Sequence, residues 1–459
     1  VEEEQPEPSL PDSNASPAAE MSNEQLKKRL DALQCHFTWQ LGVKGHVEPT
    51  HILQKLAVEI KHTRHQNQVA LLGLQAYLYQ LKGQAKEALQ SLKDAEGQRK
   101  QDEQQAAAAA ASLIIWGNYA WVHYHRNSYQ EAEKYLKKIQ QLCPAPRDAR
   151  LIPYIQAQKG WALLAIRARN GERARECFET ALMLEPENKY FHAGLGIAFY
   201  SSWIYFWNPD ISEKAIIQLE RTVHEQPDNY RAKIYLARLL EGENEKRSIA
   251  LVEESAKKSS DPEVLKAAAA FWQQRSTERA LEILRHALQR EPGYHLLYQA
   301  LAKCYRTQWI NAKQEDKNGI LDTAIKDLER IVQKHPDLDL VFMKLQLAEF
   351  YGARHSERAE MIFKELQEKS DTLSPKGLQA LYLYWGKYFL FRKKSLDEAQ
   401  AKFMDGYKIP MKTEQRKECR QRLLKTTLSL WQHKTDAIHR FIEETDSNLP
   451  AEFSGIDLD

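Results

Sequence analysis

Side chains able to do chemistry are present in this chain, but not in the patterns that catalysis requires. His51, His62 and His65 lie close together, yet no partnered carboxylate or thiolate motif accompanies them, so the metal signal is weak. The five cysteines (Cys35, Cys143, Cys177, Cys304 and Cys419) are scattered, odd in number and never spaced as a metal pair. That distribution fits buried, reduced thiols better than a disulfide framework. No HExxH pair, Gly-rich phosphate loop or nucleophile elbow occurs. Asn118 invites comparison with the carboxylate clamp of chaperone-binding repeat domains, but that clamp wants flanking lysines, and Ile114 and Val122 stand there instead. Trp203, Tyr205, Phe206 and Trp207 form an aromatic cluster that serves either the core of a lengthened element or the stacking of bases. The expectation is a protein that binds and does not catalyse, with no catalytic residue, no metal and no cofactor.

Composition narrows the ligand. The 459 residues are 43% hydrophobic and 28% charged, a core-forming balance. The formal charge is only +2, so any anionic ligand must meet a local basic patch and not a bulk field. No apolar run approaches the roughly 18 residues that span a bilayer, and the N-terminus lacks the layout of a secretory signal. A cytoplasmic protein without membrane contact is expected. The first twenty residues carry six acidic residues, no basic ones, and prolines at 6, 8, 11 and 17. Such a segment buries too little apolar area to offset its chain entropy, so residues 1–20 are read as a disordered acidic tail, with Met21 a plausible natural start.

The elements that must position any site are helices in pairs. A small residue, an apolar residue four later, another at +7 and proline at +12 recur through the chain. Ala132, Leu136, Ile139 and Pro144 form one copy, and Ala174, Phe178, Ala181 and Pro186 the next. Ala280, Leu284, Ala287 and Pro292, then Ala324, Leu328, Ile331 and Pro336, repeat it, with looser copies at Ala88, Ala215, Ala359 and Ala399. A small residue lets the second helix approach the first, residues at +4 and +7 share its buried stripe, and proline ends the helix. The pattern predicts an all-α, right-handed superhelical solenoid of tetratricopeptide helix-turn-helix repeats. Residues 21–68 are expected to form an N-terminal helical cap, 69–410 about nine repeats, and 411–459 a C-terminal cap and polar tail. Irregular spacing points to insertions at Ala145–Pro153, Ser201–Ser212 and Gln308–Gly319. The alanine run Ala106–Ala111 predicts an extended helix start.

Cys35-His36-Phe37-Thr38-Trp39, Trp116-Gly117-Asn118-Tyr119-Ala120-Trp121-Val122-His123-Tyr124-His125 and Lys159-Gly160-Trp161-Ala162-Leu163-Leu164 occur in that order. With Cys304-Tyr305-Arg306 and Tyr384-Trp385-Gly386-Lys387 they resemble the interferon-induced proteins with tetratricopeptide repeats, over roughly Met21 to Trp431. The chain looks like a divergent, C-terminally shortened member. The resemblance implies a cytoplasmic antiviral protein, not an enzyme, that holds the 5′ end of non-self single-stranded RNA (a triphosphate or a cap without ribose methylation) and blocks its translation. Basic groove residues and aromatic faces suit such a ligand.

The resemblance also implies site residues. Thr50 and Gln54, one helical turn apart, match polar contacts to the terminal phosphates or cap. Trp161 matches a tryptophan that stacks on a cap or terminal base, and Lys266 stands where relatives carry a phosphate-binding arginine. Ala165 replaces a lysine, although Arg167 and Arg169 follow, as phosphate contacts or as residues that complement a helix end. Ser201 replaces an arginine, and Ala267 and Gln273 replace aromatic and basic groups. Other family members and translation or signalling proteins are the further partners implied; DNA is not. The impoverished basic set keeps open an alternative, a protein-interaction scaffold in innate antiviral signalling with little RNA binding of its own.

Overall fold

The alanines that mark the repeat are all out of solvent. Ala88, Ala132, Ala174, Ala215, Ala280, Ala359 and Ala399 expose nothing, and Ala324 only 1%. A computed structural model describes residues 17–43, 49–63, 68–98, 105–144, 148–166, 168–428 and 432–450. Among these there are 22 α-helices and no strand. They begin with α1 (Pro17–Asp31), α2 (Pro49–His62), α3 (Gln68–Leu81), α4 (Ala85–Gly97), α5 (Gln105–His125) and α6 (Tyr129–Leu142). There follow α7 (Ile152–Ile166), α8 (Gly171–Leu184), α9 (Lys189–Phe206), α10 (Pro209–Glu225), α11 (Tyr230–Leu239) and α12 (Glu245–Lys258). Next are α13 (Pro262–Trp272), α14 (Thr277–Arg290), α15 (His295–Asn311), α16 (Lys317–Lys334), α17 (Val341–Ala353) and α18 (Arg358–Glu368). The chain closes with α19 (Pro375–Tyr388), α20 (Leu396–Lys408), α21 (Glu414–Thr427) and α22 (Gln432–Ser447). The expected acidic tail lies outside the described residues up to position 16, and α1 begins at Pro17.

The local rules behind the pattern are visible at each helix end. α6, α8, α14 and α16 each stop two residues before Pro144, Pro186, Pro292 and Pro336, because proline offers no N–H and clashes with the preceding turn. In five pairs the tight turn uses one left-handed residue. Gly83 (φ 74°) and Gly242 (φ 86°) supply it at no steric cost, whereas Asn127, His355 and Lys394 adopt φ of 55–58° with a side chain attached. Asn208, Asn229, Asn244, Asp261, Ser276, Ser374 and Thr413 cap the helices that follow them with their side chains. The alanine run does open the long α5, and the second and third expected insertions become the lengthened α9 and the long α15 and α16. Part of the first, residues 145–147, lies outside the described residues.

Contacts divide the chain into two compact units. Residues 1–41, 66–165 and 173–194 form the first; residues 42–65, 166–172 and 195–459 form the second. In the first, Phe178 is fully buried against Gly160 and Gly194. A methyl group on Gly160 would sit 2.8 Å from its ring, and one on Gly194 would overlap it. In the second, Phe403 fills the equivalent place over Gly386, where a methyl group would lie 2.5 Å away. The repeat thus exchanges a glycine on its first helix for a large ring on its second. Helix α2 belongs to the second unit and packs on α13. No helix among the described residues is long and apolar enough to cross a membrane.

Candidate functional site

Helix α2 buries Ile52, Leu53 and Leu56, while Lys55 and Glu59 line a cavity together with residues of α11 and α13. There the three helices enclose a polar cavity of about 160 Å³. Its wall is a set of charges that no short sequence window contains. Arg231 bridges Glu59 at 2.6 Å and Asp261 at 2.9 Å, all three almost fully buried. Burial works against the guanidinium, but Asp261 and Glu59 raise its pKa well above the ordinary value. Lys266 binds Glu263 at 2.8 Å, and the Tyr294 hydroxyl donates to the same carboxylate oxygen at 2.5 Å. Burial pushes Glu263 up, yet Lys266, Lys55 and these hydrogen bonds outweigh it and hold the carboxyl at about 2. Lys55 is raised in turn: burial opposes its charge, and Glu59 and Glu263 more than restore it.

His51, in the first turn of α2, faces His295 with ring centroids 6.2 Å apart. Burial brings His51 down to about 4, helped by Lys376, His295, Lys55 and Lys266. The burial part of that shift disfavours any charge, and only the smaller part from Lys376, Lys55 and Lys266 favours an anion. No acidic residue occupies the first turn of α2, so the helix N-terminus adds its positive end there.

The expected site residues fall in different places. Thr50 is exposed in the first turn of α2, and Gln54 lies half-buried one turn on. Lys266 lines the cavity from α13, and Ala267 beside it leaves the space open. Gln273 is turned away, donating to Thr307 at 2.5 Å. Arg169 sits in a short 3₁₀ turn with its guanidinium 5.9 Å above Tyr205. Arg167 lies outside the described residues. Trp161 is in the core of the first unit, 3% exposed, edge-to-face on Phe178 at 5.1 Å.

The histidines do not converge. His62 contacts Glu291 at 2.7 Å while His51 meets His295, and His65 is outside the described residues. Lys55, Glu59, Arg231, Glu263 and Tyr294 were not singled out from the sequence. The i, i+4 pair Lys55 and Glu59 on α2 is a sequence signal that could have found two of them.

Further cations on the first helices of later pairs are also matched. Arg306 grips Glu349 through two contacts of 2.8 and 3.2 Å, Lys344 meets Glu365 at 3.0 Å, and Lys387 meets Glu418 at 2.7 Å.

The tetratricopeptide repeat profile matches residues 160–202. The chain is 32% identical over 405 residues to the human antiviral innate immune response effector IFIT1, covering 84% of each. It is 30% identical over 454 residues to the human interferon-induced protein with tetratricopeptide repeats 2, covering 94% of each. Its fold superimposes with TM-score 0.60 on two solved structures, the human IFIT1 dimer with PPP-AAAA and the same dimer with m7Gppp-AAAA. Sequence identity there is 29% and 30%, over 93% of this chain and 96% of the other.

Proposed function

Because the chain belongs to the family of interferon-induced proteins with tetratricopeptide repeats, we propose that it is an antiviral effector that holds the 5′ end of non-self single-stranded RNA and withdraws it from translation. The observation that carries this reading is the first turn of α2. Thr50 and the helix N-terminus stand beside His51, whose proton is disfavoured first by burial and then by the charges of Lys376, Lys55 and Lys266. Two solved structures of one relative, the human IFIT1 dimer, hold PPP-AAAA and m7Gppp-AAAA, both with anionic ends.

In this reading Thr50 and Gln54 donate to the terminal phosphates and Lys266 supplies a charge beside them. Arg167 and Arg169 contact the backbone. Stacking on Trp161 requires its ring to be uncovered first, since little of it reaches solvent. No step of covalent chemistry is involved and no cofactor is used. Action in the reducing cytoplasm agrees with five thiols in no disulfide.

A binding titration tests the proposal with one oligonucleotide carrying a 5′ triphosphate, a cap or a 5′ hydroxyl. The first two bind at least about ten-fold tighter than the third, a difference of about 1.4 kcal/mol, and the preference shrinks in the Thr50→Val/Gln54→Leu variant. Equal binding of all three ends at low salt defeats it.

A further inference from the structure

Three cations and two carboxylates line the cavity under α2, and Asp261 behind it pairs with Arg231. Lys55, Arg231 and Lys266 are answered by Glu59, Asp261 and Glu263. The carboxylates are not equivalent. Glu59 and Asp261 are buried and committed to Arg231, so they belong to the framework that joins α2 to α11 and α13. Glu263 is different: 15% of its side chain is exposed, it lines the cavity, and its partner Lys266 is 28% exposed. Its carboxylate sits at hydrogen-bond distance from the Lys266 ammonium, where an incoming phosphate oxygen would have to be. The Tyr294 hydroxyl anchors it there from α15's N-terminal edge.

We propose that Glu263 is a specificity-determining residue, a resident counter-anion on Lys266 that weakens binding of a 5′ end in proportion to the charge of its phosphates. This rests on the reading of the site as a 5′-end pocket. An unblocked triphosphate carries the most negative charge and must either displace the carboxylate or lie against it. A capped end carries less, because its last phosphate is esterified and an N7-methylated base adds a positive charge. A 5′ hydroxyl carries none and is indifferent to Glu263. Neighbouring Ala267 leaves room for the ligand, so the discrimination is electrostatic and not steric.

The test compares the full chain with Glu263→Gln, which keeps an acceptor for Tyr294 but removes the charge. Probes are inorganic triphosphate, followed by calorimetry, and one oligonucleotide with triphosphate, capped or hydroxyl 5′ ends. Glu263→Gln is expected to bind inorganic triphosphate and the triphosphorylated oligonucleotide about ten-fold tighter or more, the capped end less so, and the hydroxyl end within about two-fold of wild type. Adding Lys266→Gln to that variant abolishes the gain. Glu263→Ala, which does not depend on the Tyr294 hydrogen bond, gives the same ranking should the glutamine variant fold poorly. Unchanged or weakened triphosphate binding in folded Glu263 variants overturns the proposal, while a wild-type preference for phosphorylated or capped ends would leave the 5′-end reading standing. A gain for inorganic triphosphate with no 5′-end preference in any oligonucleotide upholds the counter-anion and removes the RNA reading.

Discussion

Asn118 and His36, 82 positions apart, hold each other through two hydrogen bonds in the first unit. The Asn118 carboxamide accepts from the His36 backbone N–H at 3.1 Å and donates to ring Nδ1 at 3.0 Å. Ring Nε2 lies 2.8 Å from the Ala70 carbonyl, which can only accept, so Nε2 carries the proton and the imidazole is neutral. Gly73 lies so close to the ring that any side chain there would overlap it. The Cys35–Trp39 segment and the Asn118 helix are therefore two halves of one buried lock.

This lock makes stability depend on pH. Burial holds His36 at about 4, against an ordinary 6.5, and its hydrogen bonds to Ala70 and Asn118 only partly oppose the shift. The unfolded chain therefore binds a proton that the folded chain refuses between those values. Stability from this group is complete above pH 6.5 and falls by about 3 kcal/mol as pH drops toward 4. Urea midpoints at pH 7 and pH 5 should differ more in wild type than in His36→Gln. Asn118→Leu should cost about 2 kcal/mol at pH 7 by stranding the buried His36 N–H.

Arg231 is the corresponding brace of the second unit. Arg231→Met leaves Glu59 and Asp261 buried without their cation and should destabilise by about 3–5 kcal/mol in urea. Neutralising both carboxylates in the same chain (Glu59→Gln, Asp261→Asn) should recover much of that loss. If the single variant is as stable as wild type, the bridge is not holding α2 in place.

Phe178 and its glycines predict a second kind of failure. Gly194→Ala forces a methyl group into the Phe178 ring and should cost about 1–3 kcal/mol, part of it restored by Phe178→Leu. Trp161→Ala should cost about 3–5 kcal/mol of stability, because it empties the other side of the same ring. Any loss of RNA binding in that variant must be read below its unfolding transition. Thermal melts of the three variants and the double variant check the pattern.

Thiol chemistry should be selective. Burial pushes Cys35, Cys304 and Cys419 up to about 12 and Cys177 to about 11, so none of the four offers a thiolate near neutral pH. Cys143, at the end of α6, is half-buried. Iodoacetamide labelling followed by mass spectrometry should mark Cys143 first, with the others reacting only on unfolding.

Salt should reveal how few cations are available to a ligand. If Lys55, Lys266 and Lys376 are the charges a 5′ triphosphate uses, about three counterions are displaced. The slope of log K against log salt for a single strand should then be no steeper than about −2. A slope twice as steep would mean that the paired cations, Arg306 or Lys387 among them, exchange their carboxylates for RNA.

Much of this protein was written locally. Alanine, an apolar residue at +4 and proline at +12 determine where a second helix packs, which face it buries and where it stops, because each rule acts within one or two helical turns. The structure repeats these placements at Ala132, Ala174, Ala280 and Ala324. The segment Trp116–His125 marked the family from residues alone, but what Asn118 does there became visible only in contact with His36. The candidate site was legible only in part. Thr50, Gln54 and Lys266 are reached only through the family resemblance, whereas Glu263 and Arg231 read as ordinary helical charges. Arg231 meets Glu59 across 172 positions and Asp261 across 30, and Glu263 meets Tyr294 across 31. Such meetings depend on the rotation each helix pair adds to the one before, and no local pattern stores that sum. The sequence therefore determined the repeat and its helix ends by short-range sterics and hydrophobic spacing. Tertiary packing alone decided that the cations beneath α2 would arrive already paired, because charge interactions follow distance in space and not along the chain.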